Sequence, residues 1–257
     1  MVSESYCLDL GGLTVHYSFL YPETASYFKS YLNKQQKLSA GECSKSTGIV
    51  IRIDDQFIKR HRWLVDSEES NNAFIEFQCL MLATGNELLL HQRALFHGVA
   101  LLWKERAWII TAPSGTGKTT QLRHWKKVLN KEINIINGDK PLIRCHVNGS
   151  VLVCSSPWKG KEGYGHRGLS AVLGGIILLE QGSGNQIKRI DPSEAAVDLF
   201  SGFISFPDSA QQLNCQAEIL TKMLDAAPVW KLTNIGDESS AVLTIETLNA
   251  FLDKEYS

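Results

Sequence analysis

The chain lacks any apolar run approaching the ~20 residues that a membrane-spanning helix needs. Its start, MVSESYCLDLGG, has no basic stretch followed by a long apolar one, which predicts no secretory signal peptide. Its six cysteines (Cys7, Cys43, Cys79, Cys145, Cys154 and Cys215) include no C-x-x-C pair, which argues against a zinc ribbon or a thioredoxin-type site. Charge of either sign is not in excess. Lys and Arg number 26 against 27 Asp and Glu, so the net charge is −1, which excludes the balance of a strongly basic nucleic-acid binder. Internal repeats and low-complexity tracts are missing too. These absences together predict a cytoplasmic protein with reduced, mostly buried thiols and neither a membrane nor a nucleic acid as partner.

What is present is ordinary for a globular chain. Hydrophobic residues make up 44% and charged ones 21%, which argues against disorder and against a coiled coil. At 257 residues the chain allows one large domain, or one with a smaller attached piece, and its core needs no disulfide or metal.

Residues 6–20 predict a β-hairpin. Leu13, Val15, Tyr17 and Phe19 alternate with polar residues, and Gly11-Gly12 forms the turn. Residues 32–48 are polar and predict a loop, and residues 48–53 a strand. Lys59-Arg60-His61-Arg62 reads as a solvated basic surface. From Phe74 to about Leu90 the apolar residues recur at helical spacing. Strands follow at 99–103 and 107–111 around a Lys104-Glu105-Arg106 turn. Next come a helix with Leu122, Trp125, Val128 and Leu129 on one face and a short buried strand at 133–136. Residues 142–147 and 150–154 flank Asn148-Gly149, a hairpin signal, and an apolar strand covers 171–179. Residues 193–227 predict helix broken near Pro207, and Val242 to Ile245 leads into a last short helix. Strands with an intervening helix suggest a βαβ core, and residues 1–90 a smaller, mostly β, N-terminal part.

The most informative segment is Ala112-Pro113-Ser114-Gly115-Thr116-Gly117-Lys118-Thr119-Thr120, a G-K-T loop between an apolar strand and an amphipathic helix. A P-loop requires that context. Its glycines let backbone N–H groups turn toward an anion, and the helix N-terminus adds partial positive charge. Lys118 would reach the β- and γ-phosphates of ATP, and Thr119 would ligate Mg²⁺. Ala112 stands where the strict motif has its first glycine. Asp139 follows the strand at 133–136, at the kind of carboxyl end where ligands collect in an open α/β sheet. It is a second metal candidate, although Asn137-Gly138-Asp139 is also good turn chemistry.

The loop from Trp158 to Gly168 carries Lys159, Lys161, Glu162, His166 and Arg167 among four glycines. Lys161 and Arg167 could offset charge on a transferring phosphoryl group, and the glycines would let the loop close as a lid. A solvated hairpin tip is the plain alternative. Trp158 beside it could stack on a base or an acceptor, whereas the other tryptophans read as core.

Four blocks carry a resemblance: His97-Gly98-Val99-Ala100, Pro113 to Thr120, Asn137-Gly138-Asp139-Lys140-Pro141, and Pro157-Trp158-Lys159-Gly160-Lys161-Glu162-Gly163. Over about residues 90–248 the chain resembles the HPr kinase/phosphorylase C-terminal domain and its looser relatives, which share a P-loop core with ATP-dependent phosphoenolpyruvate carboxykinases. The resemblance implies an α/β fold with that nucleotide-binding core in residues 91–257; it does not extend to the smaller, mostly β part read in residues 1–90. It implies ATP and Mg²⁺ as cofactors, with Lys118 and Thr119 on phosphate and metal, His97 near the reacting groups and Asp139 on the metal. The true kinases carry two consecutive aspartates where this chain has Gly138 and Asp139, so the expected base is missing. His97 and Glu162 are the candidates to replace it, each with a structural alternative: a core histidine and a solvated acid. The implied activity is transfer of the γ-phosphoryl group to a hydroxyl, serine foremost, of a protein, peptide or small molecule, in a chain that could form a homo-oligomer. A nucleotide-binding regulatory module is the other reading, and a decarboxylating phosphoenolpyruvate enzyme a more distant third.

Overall fold

The computed structural model describes residues 5–32, 37–38, 48–65 and 70–255. The loop expected over 32–48 therefore lies mostly outside the described residues, as does Cys43.

Strands β1 (Ser5–Asp9) and β2 (Thr14–Ser18) form the predicted hairpin, with Gly11 and Gly12 at φ 59° and 77° in its turn. That left-handed backbone favours glycine. Two further strands complete this small sheet in the order β3-β1-β2-β4: β3 (Lys37–Leu38), antiparallel to β1, and β4 (Ile49–Ile51), parallel to β2. Helix α1 (Asp55–Arg60) starts on Asp54, whose carboxylate accepts from the Phe57 amide at 2.7 Å. Helix α2 (Asn72–Leu89) starts on Asn71 in the same way, at 2.8 Å from the Phe74 amide. Such caps satisfy amides that the first helical turn leaves unpaired.

Most of α2 is buried because it is sandwiched. Ile75, Phe77, Cys79, Leu80 and Leu88 join Leu8, Val15, Tyr17 and Phe28 of the N-terminal part in one core. Leu95, Leu142, Cys154 and Trp158 belong to that same core. The described residues of the N-terminal part thus share their hydrophobic interior with the rest of the chain. The Glu76 carboxylate lies fully buried in it and accepts from the Leu20 and Tyr21 amides and the Thr24 hydroxyl.

The main sheet has nine strands. These are β5 (Arg93–Leu95), β6 (Val99–Trp103), β7 (Arg106–Thr111), β8 (Asn134–Asn137), β9 (Leu142–Cys145), β10 (Val151–Cys154), β11 (Ser170–Gln181), β12 (Gln186–Ile190) and β13 (Val229–Asn234). The order is β5-β9-β10-β11-β7-β6-β8, and the far half of β11 also pairs with β13, which holds β12. Helices α3 (Lys118–Leu129) and α6 (Glu238–Glu255) cover one face through Leu122, Trp125, Ile245 and Leu248. Helices α4 (Pro192–Ser201) and α5 (Ala210–Ala226) cover the other through Ala195, Leu199, Ile219 and Met223. Strand alternation sorts the two faces: in β7, Ala107 and Ile109 point to the second, Trp108 and Ile110 to the first. A Cβ on Gly175 would stand 2.5 Å from the Trp108 ring, so the indole occupies the space a side chain would need. The molecule is a mixed α/β fold.

The hairpins around Gly11-Gly12 and Asn148-Gly149, the helix at 74–90 and the paired strands before the G-K-T loop all form. The segment from Val242 to Ile245 lies inside an 18-residue helix rather than before a short one. Strands β5, β12 and β13 and helix α1 were not expected. No helix among the described residues is long and apolar enough to cross a membrane.

Candidate functional site

Sheet direction brings the candidate residues together. Strand β6 runs antiparallel to both β7 and β8, so β7 and β8 point the same way. The loop after β7, the turn after β8 and the residues just before β6 therefore emerge on one edge. Ala112–Thr120, Asp139 and His97 meet there.

In the loop, Gly115 and Gly117 have φ of 80° and 112°, and nothing lies within 4 Å of where their Cβ atoms would be. The backbone conformation, not crowding, demands glycine at both. Gly117 is the N-cap of α3 and offers no side-chain cap, so the first-turn amides of that helix face the cleft. The Thr116 hydroxyl donates to the Pro113 carbonyl at 2.9 Å and braces the loop from inside. Lys118 is 8% exposed. Its ammonium donates to the Ala112 and Pro113 carbonyls at 2.8 and 3.1 Å. Burial holds its pKa below the usual lysine range; Asp139 opposes that shift and Lys140 adds to it.

Asp139 is fixed by a network that sequence reasoning missed. Asn137, fully buried, accepts from the Asp139 and Lys140 amides through Oδ1, both at 2.8 Å. Its amide nitrogen donates to the carbonyl and hydroxyl oxygens of Ser156, each at 3.1 Å. The turn chemistry of Asn137-Gly138-Asp139 is real, and it aims the carboxylate at the cleft. Asp139 Oδ2 is 2.8 Å from Lys140 Nζ, and Oδ1 is 3.7 Å from His97 Nε2. Burial first, then Lys140 and Lys118, push the His97 pKa down to about 4, against the pull of Asp139. The imidazole is therefore neutral near pH 7.

The glycine-rich loop after Trp158 packs onto this turn. The Gly138 amide donates to the Tyr164 carbonyl at 3.0 Å. A Cβ on Gly160 would fall 2.9 Å from the Asp139 Cβ, and one on Gly165 2.7 Å from the Ile136 carbonyl. From the other side Arg123 of α3 pairs with Glu162 at 2.9 Å, and Lys126 lies 4.8 Å above the Tyr164 ring. Between them lies a cleft of about 430 Å³ lined by Lys118, Thr119, Asp139, Lys161, Glu162 and His97. Ser114, Gly115, Gly117 and Thr120 also line it; Pro113 does not. Pro113 lines a second cleft of about 380 Å³ that shares His97 and carries Glu194, Asp198 and Lys231.

Two sequence candidates lie elsewhere. Arg167 opens onto a different cavity, with Tyr31 and Arg144. Trp158 is 2% exposed; its indole nitrogen donates to the Phe77 carbonyl at 3.3 Å, and its ring packs on Phe28 and Phe77. The expectation that Trp158 stacks on a ligand is overturned, because the N-terminal core has already taken its faces.

Thr119 and Asp139 could hold a metal from one cleft. Among the described residues no group of three His, Cys, Asp or Glu gathers around a common point. Two oxygen ligands from the chain suit Mg²⁺, which keeps several waters and takes further oxygens from phosphates.

No family model and no curated protein matches the chain. Among solved structures it is similar to one described as the Hpr(Ser) kinase/phosphatase from Coxiella burnetii, at 10% identity and a TM-score of 0.35, covering 63% of this chain and 98% of that one.

Proposed function

We propose that the chain is an ATP- and Mg²⁺-dependent phosphotransferase, with Ala112–Thr120 as a P-loop in a nucleotide-binding core of the HPr kinase type. The observation that carries this reading is Lys118. A buried ammonium at the head of α3 is held by two neutral carbonyls, in the same cleft as Thr119 and Asp139. A charge taken out of water is costly unless an opposite charge compensates it. An anionic phosphate lying along the Gly115–Lys118 amides would supply that charge.

Thr119 and Asp139 are the residues to hold Mg²⁺, which when bound neutralises charge on the β- and γ-phosphates. Lys161 at the cleft rim adds a cation near the transferring group. The acceptor is a hydroxyl, serine foremost, of a protein, peptide or small molecule. It enters by the second cleft, since His97 lines both clefts. The hydroxyl oxygen bonds to the γ-phosphorus as the bond to the β–γ bridging oxygen breaks. The hydroxyl proton passes to His97 Nε2, which is neutral and lines both clefts. Glu162 suits the base role less well, because its carboxylate is engaged by Arg123. The proposed setting is the cytoplasm.

Gly138 favours a second reading, a nucleotide-binding regulatory module. It carries no side chain to serve as a base, and the docked Tyr164 leaves no room for one. Calorimetry with Mg-ATP and a phosphate-release assay on wild type and Lys118→Ala decide. Binding with slow turnover, both lost in the variant, supports the phosphotransferase. Binding without turnover in the presence of hydroxyl acceptors supports the module. A wild type that binds no nucleotide overturns both.

A further inference from the structure

Between the Gly11-Gly12 turn and the main sheet lies a cavity of about 310 Å³ that the nucleotide reading leaves unused. Arg144 and Arg167 line it, with Tyr31 and Ser155. Arg144 stands directly opposite Arg93 in the β5–β9 register. Like charges in that position destabilise a sheet. Arg93 spends its donors on neutral carbonyls, two on Gly11 at 3.2 and 3.0 Å and one on His91 at 2.7 Å. Burial, followed by the Arg144 charge, pushes the Arg93 pKa down.

Compensation is thin. Asp9 is the carboxylate on the cavity wall; it is exposed, and its Oδ1 accepts from the Gly12 amide at 3.0 Å. Among the described residues no carboxylate makes an ion pair with Arg144 or Arg167. Tyr31 is 3% exposed, and its hydroxyl lies near Ser155 without completing a hydrogen bond. Burial lifts its pKa to about 12, so the phenol keeps its proton and can donate. The wall therefore offers unspent guanidinium and hydroxyl donors and an excess of positive charge.

We propose that this cavity is an anion site, separate from the Ala112–Thr120 cleft, that takes the phosphate group of a small phosphate monoester. Two guanidinium side chains, Arg144 and Arg167, line the cavity against one carboxylate, Asp9, which is exposed and held by the Gly12 amide. A phosphate monoester carries about −1.5 to −2 at neutral pH and presents several acceptor oxygens to those two side chains. The planar guanidinium fork suits phosphate oxygens geometrically. The volume leaves room for the phosphate and a short organic remainder.

The test removes the competing cleft first. Lys118→Ala protein is melted with inorganic phosphate, with glycerol 3-phosphate, and with chloride at the same ionic strength. The expected result is a saturable rise in Tm with both phosphates and none with chloride. Arg167→Gln alters an exposed residue, so the fold should survive, and it should weaken the apparent affinity at least tenfold. Arg144→Gln should do the same. An equal rise in chloride, or an unchanged affinity in Arg167→Gln, overturns the site. A response to inorganic phosphate with exclusion of the ester overturns the monoester assignment. Wild type that fails to bind ATP while this response persists would sink the nucleotide reading and leave this one standing.

Discussion

A side chain on Gly138 would begin 2.9 Å from the Tyr164 Cβ, and the amide of Gly138 is bonded to the Tyr164 carbonyl at 3.0 Å. The turn that aims Asp139 and the loop that covers it therefore fit together only because residue 138 has no Cβ. Real Cβ atoms do not approach so closely, so any other residue must displace Tyr164 or the loop.

Gly138→Asp is accordingly a test of the lid as well as of the missing base. Overpacking of this kind costs about 1–3 kcal/mol. The variant should melt lower than wild type, expose the 159–165 loop to proteolysis and show no gain in phosphate release. Faster phosphate release at an unchanged Tm would show that the loop yields freely and that the aspartate alone was lacking.

His97 predicts a pH dependence of stability. Its pKa falls from the ordinary 6.5 to about 4 in the fold. Below pH 6.5 the unfolded chain takes up a proton that the folded one refuses. The stabilisation from a neutral His97 is thus complete above pH 6.5 and lost as the pH falls toward about 4. Urea unfolding of wild type and His97→Gln at pH 7 and pH 5 should show a smaller loss in the variant. Equal losses would place His97 at an ordinary pKa.

Trp158→Ala separates a core tryptophan from a ligand-stacking one. Deleting a buried aromatic costs about 3–5 kcal/mol. The variant should lose stability on that scale in denaturant titrations, while ATP affinity in the folded population stays within about twofold, since interactions at separate sites add independently. A stable variant with weakened ATP binding would restore the stacking role.

Glu76 makes the N-terminal part depend on α2. Its buried carboxylate takes three donors from residues 20 to 24. Glu76→Ala leaves those donors unpaired, at about 1–3 kcal/mol each when buried. The midpoint of urea unfolding should fall by more than in Glu87→Ala, a partly exposed acid on the same helix. A similar fall in both variants would mean the carboxylate is dispensable.

The segments legible in the sequence were those whose cause is local. Gly11-Gly12 and Asn148-Gly149 specify their hairpins by turn chemistry. Phe74 to Leu90 specifies its helix by apolar spacing, and the strand, glycines and Lys118 specify the loop that opens α3. Strand β12 was missed because four of its five residues are not buried, so it shows no apolar stripe. Strand β13 was missed because it directly follows the α5 pattern, and its pairing with β11 and β12 is what makes it a strand. Val242 to Ile245 reads as the lead-in to a short helix, yet packing of Ala241, Ile245 and Leu248 against the sheet and α3 carries the helix through it.

The sequence by itself determined that a lysine would stand at the head of a helix behind two glycines, because the loop is built by local bonds such as those from Thr116 and Lys118 to the Ala112 and Pro113 carbonyls. Only the tertiary structure decided which distant groups meet it. Antiparallel pairing of β6 with both neighbours brought His97 and Asp139 to the loop's edge. Docking on α2 sent Trp158 into the core, and the course of the chain past Gly163 carried Arg167 to the other cavity. Those outcomes depend on contacts between residues far apart in the chain, where burial of apolar surface outweighs what any short segment prefers.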